Sequence, residues 1–199
     1  SELIGPLLTS PAFWICGVMN FGLTLIRETF NFWSPTFLKE VTGATADEAA
    51  IGSMVFPLVG AASALIAGAV SDRVDGRHGR VLLPAIVLLT AALGALAFVD
   101  MSGRYTIALI LLSAVSFFLI APYSFLSGVI ALDLGGKQGS STTAGLLDSA
   151  GYLGAIVSGW GIGRIAKNQG WSAAFGFLAG VCAVTAVVAF VYWIHQERT

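Results

Sequence analysis

The chain has 199 residues, 56% hydrophobic and only 11% charged, with 24 glycines and a formal net charge of −1; its mean hydropathy is +0.85. So few charges cannot cover the surface of a soluble domain of this size, and the composition reads as an integral membrane protein. A net charge this close to zero also argues against a nucleic-acid partner. Cys16 and Cys182 stand in apolar stretches without metal-ligand spacing and read as packing residues. The start SELIGPLLTSP lacks the positively charged opening of a cleavable signal and reads as a chain already in progress.

Length and punctuation predict six membrane spans, at about 11–33, 49–70, 81–99, 105–132, 142–165 and 171–194, so that residues 1–199 form one all-α transmembrane bundle. The first span opens on Ser10 and Pro11, an N-cap followed by proline at the first helical position, and is expected to stop before Pro35. Trp14 and Trp33 lie nineteen residues apart, roughly 28 Å along a helix, which suits aromatic belts flanking a hydrocarbon core about 30 Å thick. Between them sit Arg27 and Glu28. A charge at that depth costs on the order of 2.5–3.5 kcal/mol on insertion scales, so it faces protein or water and marks a pathway. Asn20, Thr24, Arg27, Asn31 and Ser34 recur at helical spacing on one narrow face, with Glu28 off its centre. A snorkelling surface arginine would need no polar face beneath it.

A polar loop of about fifteen residues is expected after the first span. The second span leads into SDRVDGRHGR, the most charged stretch of the chain. In the fourth span Ser113, Ser116, Tyr123 and Ser127 follow helical spacing, and in the fifth Ser141, Gly145, Asp148, Tyr152, Ala155 and Gly159 form a stripe of small and polar residues. The third and sixth spans are apolar nearly all round. Spans one, four and five are therefore expected to face a wet interior, and three and six to face lipid. Gly159 with Gly163, and Gly176 with Gly180, are spaced for close helix packing. With an even number of spans both ends lie on one side, where Arg73, Arg77, Arg80, Lys137 and Arg198 outnumber Lys39, Arg104 and Lys167 opposite. That bias places both ends in the cytoplasm, though Arg164 near the far interface narrows it. His78 and His195 have no catalytic or metal-ligating company, so neither an enzyme nor a bound metal or cofactor is expected.

The stretch Gly68-Ala-Val-Ser-Asp72-Arg73-Val-Asp75-Gly76-Arg77-His-Gly-Arg80 resembles the G-x-x-x-D-R-x-G-R-R signature of the major facilitator superfamily, with Asp75 as one extra residue. There the loop joins the second and third helices of a six-helix half, and the resemblance implies a gating role, with an arginine pairing to an acid such as Asp133. Ser10-Pro11-Ala12-Phe13-Trp14, Arg27, Trp33-Ser-Pro35-Thr36-Phe37-Leu38-Lys39-Glu40-Val41, Gly151-Tyr152-Leu153-Gly154 and Gly170-Trp171 are similar to the organophosphate:inorganic phosphate antiporters within that superfamily. The likeness implies the carboxy-terminal half of a twelve-helix transporter in the cell membrane, whose partners are an amino-terminal half, a small anion and the bilayer. By it Arg27 binds the substrate phosphate, with Tyr152 beside it. Arginine suits that task physically, because its planar fork stays charged when desolvated and meets phosphate oxygens bidentately. Thr24, Asn31 and Tyr123 are candidates for orienting the anion. Asp148 departs from the family pattern, where a small uncharged residue is expected; with Glu28 it is a candidate for proton coupling or helix pairing. Exchange of an organic phosphate for inorganic phosphate is the expected function. A proton-coupled carboxylate or sugar-acid symporter and a non-transporting sugar-phosphate receptor are the alternatives.

Overall fold

The computed structural model describes residues 4–71 and 79–198. A short helix α1 (Ile4–Thr9) precedes α2 (Pro11–Thr42), followed by α3 (Ala46–Ser53), α4 (Val55–Ser71), α5 (Gly79–Phe98) and α6 (Tyr105–Phe125). A π-helical turn, Leu126–Ile130, leads into α7 (Ala131–Val157). A second, Ser158–Ile162, leads into α8 (Gly163–Gln169), and α9 (Trp171–Arg198) ends the bundle. No strand occurs among the described residues. The packing runs in pairs, α2 against α7, α4 against α6 and α5 against α9, with α2 also touching α6 and α9.

Helix α2 begins where the sequence predicts, with Ser10 extended at φ −78°, ψ 120° and Pro11 in the first turn. It does not stop before Pro35. The proline stays inside the helix, which runs to Gly43, whose positive φ of 74° lets its N–H reach the Lys39 carbonyl. Pro35 removes only the hydrogen bond to the Asn31 carbonyl, a loss that packed membrane helices accommodate. The long polar loop expected here shrinks accordingly, because Thr45 and Glu48 close a capping box that starts α3. The Thr45 N–H donates to Glu48 Oε2 at 2.9 Å, and the Glu48 N–H donates to Thr45 Oγ1 at 3.3 Å. Nor is there a loop over 133–141. The chain turns at Gly136, where φ 62° and ψ −178° admit only glycine, and helix continues on both sides.

Four helices among the described residues are long and apolar enough to cross a membrane, over 46–70, 81–98, 105–136 and 171–194. Helices α2 and α7 fall short of that apolarity because they carry the polar stripes. An aromatic cluster joins α2 to α4 and α9. Phe30 stacks on Phe56 at 5.5 Å and on Phe175 at 5.8 Å, and Phe37 meets Phe175 edge-on at 4.9 Å. Trp33 lies in the same cluster against Trp171 and is not a lipid-facing belt residue, whereas Trp14 is exposed. The Trp171 indole N–H donates to Glu40 Oε2 at 2.8 Å. Cys16 and Cys182 are both buried.

Helices α5 and α9 pack together and leave Val87, Leu88, Val184, Val187 and Val191 exposed. The serines of α6, however, are occupied by backbone. Ser116 donates across to the Phe56 carbonyl on α4, Ser113 donates to the Leu109 carbonyl within α6, and Ser127, in the π-helical turn that follows, donates back to the Tyr123 carbonyl.

The close glycine packing also differs from expectation. Gly159, Gly176 and Gly180 face open space, and of the four predicted only Gly163 is tightly met, by the Trp33 ring. The tight seam lies between α2 and α7, where a Cβ on Gly154 would fall 2.5 Å from the Phe21 carbonyl oxygen. Gly154→Ala is therefore expected to destabilise the intact protein by about 1–3 kcal/mol, since backbone must move to admit it. Gly180→Ala should stay within about 0.5 kcal/mol of the native protein. Thermal unfolding in detergent compares the two, and equal shifts would contradict this seam.

Candidate functional site

Arg27 projects from the middle of α2 with its side chain 24% exposed. It is held by the residue next to it. Nε donates to Glu28 Oε1 at 2.9 Å and Nη2 to the same oxygen at 2.5 Å, so one edge of the guanidinium is neutralised inside its own helix. Its Cζ lies over the Tyr123 ring of α6, 4.3 Å from the centroid, a cation–π contact. Adjacent helical residues point about 100° apart, so sequence spacing does not suggest this ion pair; the length of both side chains makes it possible.

Tyr123 is the centre of the polar neighbourhood: Arg27, Asp148, Tyr152 and Glu28 are each near enough to act on it electrostatically. Tyr152 is 63% exposed and stands one helical turn after Asp148. Asn31 is exposed one turn beyond Arg27. Asn20 and Thr24, on the same predicted stripe, take a different path. Both are buried in the seam with α7, where Gly151 leaves room for them. Asn20 Nδ2 donates to the Leu147 carbonyl at 2.7 Å. Ser34 ends the stripe buried, bonded back to the Phe30 carbonyl. Thr29, outside the stripe, extends the seam by donating to the Leu25 carbonyl, with its oxygen 3.2 Å from the Ser158 hydroxyl, and the Trp33 indole N–H donates to the Ser158 carbonyl.

Of the predicted gating residues, Asp72, Arg73, Gly76 and Arg77 lie outside the described residues. Arg80 is described only in its backbone, near the start of α5. Gly68 is exposed late in α4, and Asp133 is exposed in the first turn of α7. A cavity of about 350 Å³ opens between α1, α2 and α7, but Leu8, Trp14, Val18, Phe21, Leu146 and Leu153 line it. It offers an anion nothing. The polar cluster at Arg27 is where charge can be met.

The family model described as Major Facilitator Superfamily matches residues 13–199. The probable hexose phosphate transport protein of Chlamydia pneumoniae is 29% identical over 193 residues, covering 96% of this chain and 42% of that protein. The glycerol-3-phosphate transporter of Haemophilus influenzae is 26% identical, over 96% of this chain and 43% of its own. The membrane sensor protein UhpC of Salmonella typhimurium is 24% identical, over 91% and 41%. The chain thus spans about two-fifths of the length of the curated relatives it matches.

Thr24 and Thr29 separate function from folding. Thr29 is bonded twice, so Thr29→Val should lower stability by about 1 kcal/mol. The Thr24 hydroxyl has no hydrogen-bond partner, so Thr24→Val should leave the unfolding temperature unchanged or raise it. A loss on Thr24→Val as large as that on Thr29→Val would contradict the assignment.

Proposed function

Because the chain belongs to the Major Facilitator Superfamily and is a multi-pass membrane protein, we propose that it forms the carboxy-terminal half of a transporter for an organic phosphate. The six crossings are α2, α3 with α4, α5, α6, α7 with α8, and α9, with both ends of this segment in the cytoplasm. An amino-terminal half completes the substrate site at the midplane, and the halves rock about it to give alternating access.

The observation that carries this reading is the state of Arg27. A guanidinium lies at membrane depth, partly exposed, with one edge on Glu28 and its face on Tyr123. Glu28 balances the charge of the arginine, and an arriving phosphate takes its place with two oxygens instead of one. Tyr123 fixes the plane of the fork, and the exposed Tyr152 and Asn31 complete the wall that the organic part of the substrate meets. Relatives named as hexose phosphate and glycerol-3-phosphate transporters support this substrate class. Exchange for inorganic phosphate follows from one site serving both anions in turn.

A second reading is favoured by the relative named as a membrane sensor protein. In it the same site binds a sugar phosphate to signal without net movement. Flux separates the two.

The test uses the complete protein in liposomes loaded with inorganic phosphate, following uptake of labelled phosphate. Native protein should show counterflow that glycerol-3-phosphate and hexose phosphates block. Arg27→Lys, which keeps the charge and loses the planar fork, should reduce it by about 10- to 100-fold, the worth of about 1.5–3 kcal/mol in charge-assisted hydrogen bonding. Phosphate binding without counterflow would favour the sensor. Native rates with Arg27→Lys would overturn the role of Arg27.

A further inference from the structure

The contacts between α2 and the helix it packs on step along both together. Thr24 abuts Gly151, Thr29 meets Ser158, and the Trp33 ring covers Gly163. The two helices therefore run parallel, and Arg164, the residue after Gly163, stands at the level of Ser34, the residue after Trp33. Ser34 lies seven residues past Arg27, about 10 Å along a helix. Arg164 is thus displaced from Arg27 by about that distance, toward the end of α8.

The π-helical turn Ser158–Ile162 decides which way Arg164 faces. Tyr152 and Arg164 are twelve residues apart. At about 100° per residue an unbroken α-helix would leave Arg164 about 120° away from the Tyr152 face. A π turn takes up one extra residue and reduces that offset to about 20°. Exposure agrees: Tyr152, Ile156, Trp160 and Arg164 are all exposed, whereas Gly154, Ser158 and Ile162 are buried. One open face therefore runs from Tyr152, which is near enough to Tyr123 to act on it electrostatically, to Arg164.

Arg164 is a different kind of arginine from Arg27. Its Cζ lies over the Trp160 ring, 5.3 Å from the centroid, a contact that attracts the charge without taking up an N–H donor. Among the described residues it has no carboxylate within salt-bridge reach. Nor does the sequence offer one nearby, since Ser149 to Gly170 contains two cations, Arg164 and Lys167, and no acidic residue. Both are exposed, with Lys167 in the last turn of α8.

The neighbourhood of Tyr123 has the opposite balance, with Arg27 set against the carboxyl groups of Glu28 and Asp148. Such a cluster exerts little pull on a distant anion. It rewards an anion only once a partner of Arg27 has been displaced. The attraction at longer range falls to the two unopposed cations, because a charge acts on encounter when nothing close by cancels it.

We infer that Arg164, on the Trp160 ring and with Lys167 beyond it, is a second anion site that captures phosphate at the α8 end of the face leading to Arg27. The inference rests on the reading of Arg27 as an anion site and adds the step that feeds it. Its ligand is a phosphate anion, inorganic or esterified, held loosely by exposed N–H donors and passed inward. A lipid headgroup offers the same phosphate oxygens, so the experiment separates the two sources.

The test uses the complete protein in phosphatidylcholine nanodiscs, with inorganic phosphate as the probe and stopped-flow tryptophan emission as the readout. Arg164→Gln should slow association about three- to tenfold and leave dissociation unchanged, the signature of a charge at the rim. Salt of about 1 M, where screening shortens to about 3 Å, should abolish the difference. Arg164→Lys should keep most of the native rate. In Arg164→Cys a thiol reagent that restores a positive charge should recover the rate and a neutral one should not; Cys16 and Cys182 are buried. Equal association rates in native protein and Arg164→Gln at low salt would overturn the proposal, as would a change confined to dissociation. Anionic phosphatidylglycerol that slows capture in native protein but not in Arg164→Gln would mean that a headgroup holds the arginine, and would overturn it too. Should the variants fail to insert, the native protein still decides, because an association rate independent of salt would exclude capture by unopposed charge. Absence of phosphate binding in native protein would instead overturn the anion site at Arg27.

Discussion

The structure turns on how one guanidinium is kept inside a helix of membrane length. An arginine at that depth costs a few kcal/mol unless its charge is met, and here it is met in two ways that leave it usable. Glu28 binds one edge of Arg27 from the same helix, and the Tyr123 ring lies 4.3 Å from the guanidinium. Neither partner closes the site, since the arginine side chain stays 24% exposed. A pair drawn wholly from α2 also travels with that helix, so its charge remains balanced however the helix moves against its neighbours.

That arrangement requires α2 to be held firmly against its neighbours, and the sequence supplies two fastenings. At one end Trp33, Phe37 and Glu40 meet Trp171 and Phe175, through ring contacts and the indole hydrogen bond to Glu40. In the middle, Gly151 and Gly154 let α7 approach so closely that Asn20 reaches its backbone. The residues that resemble the organophosphate antiporters are in large part these fastenings. Trp33, Glu40, Gly154 and Trp171 position the helix that carries the arginine, and Arg27 and Tyr123 form the proposed anion site.

Much of this was legible in the sequence because membrane insertion limits what a polar residue can be doing. The helical bundle, the start of α2 at Pro11 and the placing of Arg27 on a polar face all follow from hydropathy and periodicity. Periodicity names a face but not what the face meets. The stripe from Asn20 to Ser34 therefore looked uniform, although Asn20 and Thr24 enter the α7 seam, Arg27 and Asn31 reach open space, and Ser34 bonds its own helix. The same ambiguity hid the packing glycines, since Gly154 and Gly180 differ only in what lies opposite. The capping box at Thr45 and Glu48 was readable from its spacing, whereas the turn at Gly136 depends on a backbone angle that no pattern displays.

The central claim is that Glu28 occupies the place an anion takes on Arg27. It is tested most directly by the affinity of the complete protein for inorganic phosphate, measured by titration calorimetry with Glu28→Gln beside the native sequence. If Glu28 competes for the arginine, removing its charge should tighten phosphate binding by roughly tenfold, about 1.4 kcal/mol. Unchanged or weaker binding would mean that Glu28 supports the arginine without standing in for the substrate, and would contradict the account.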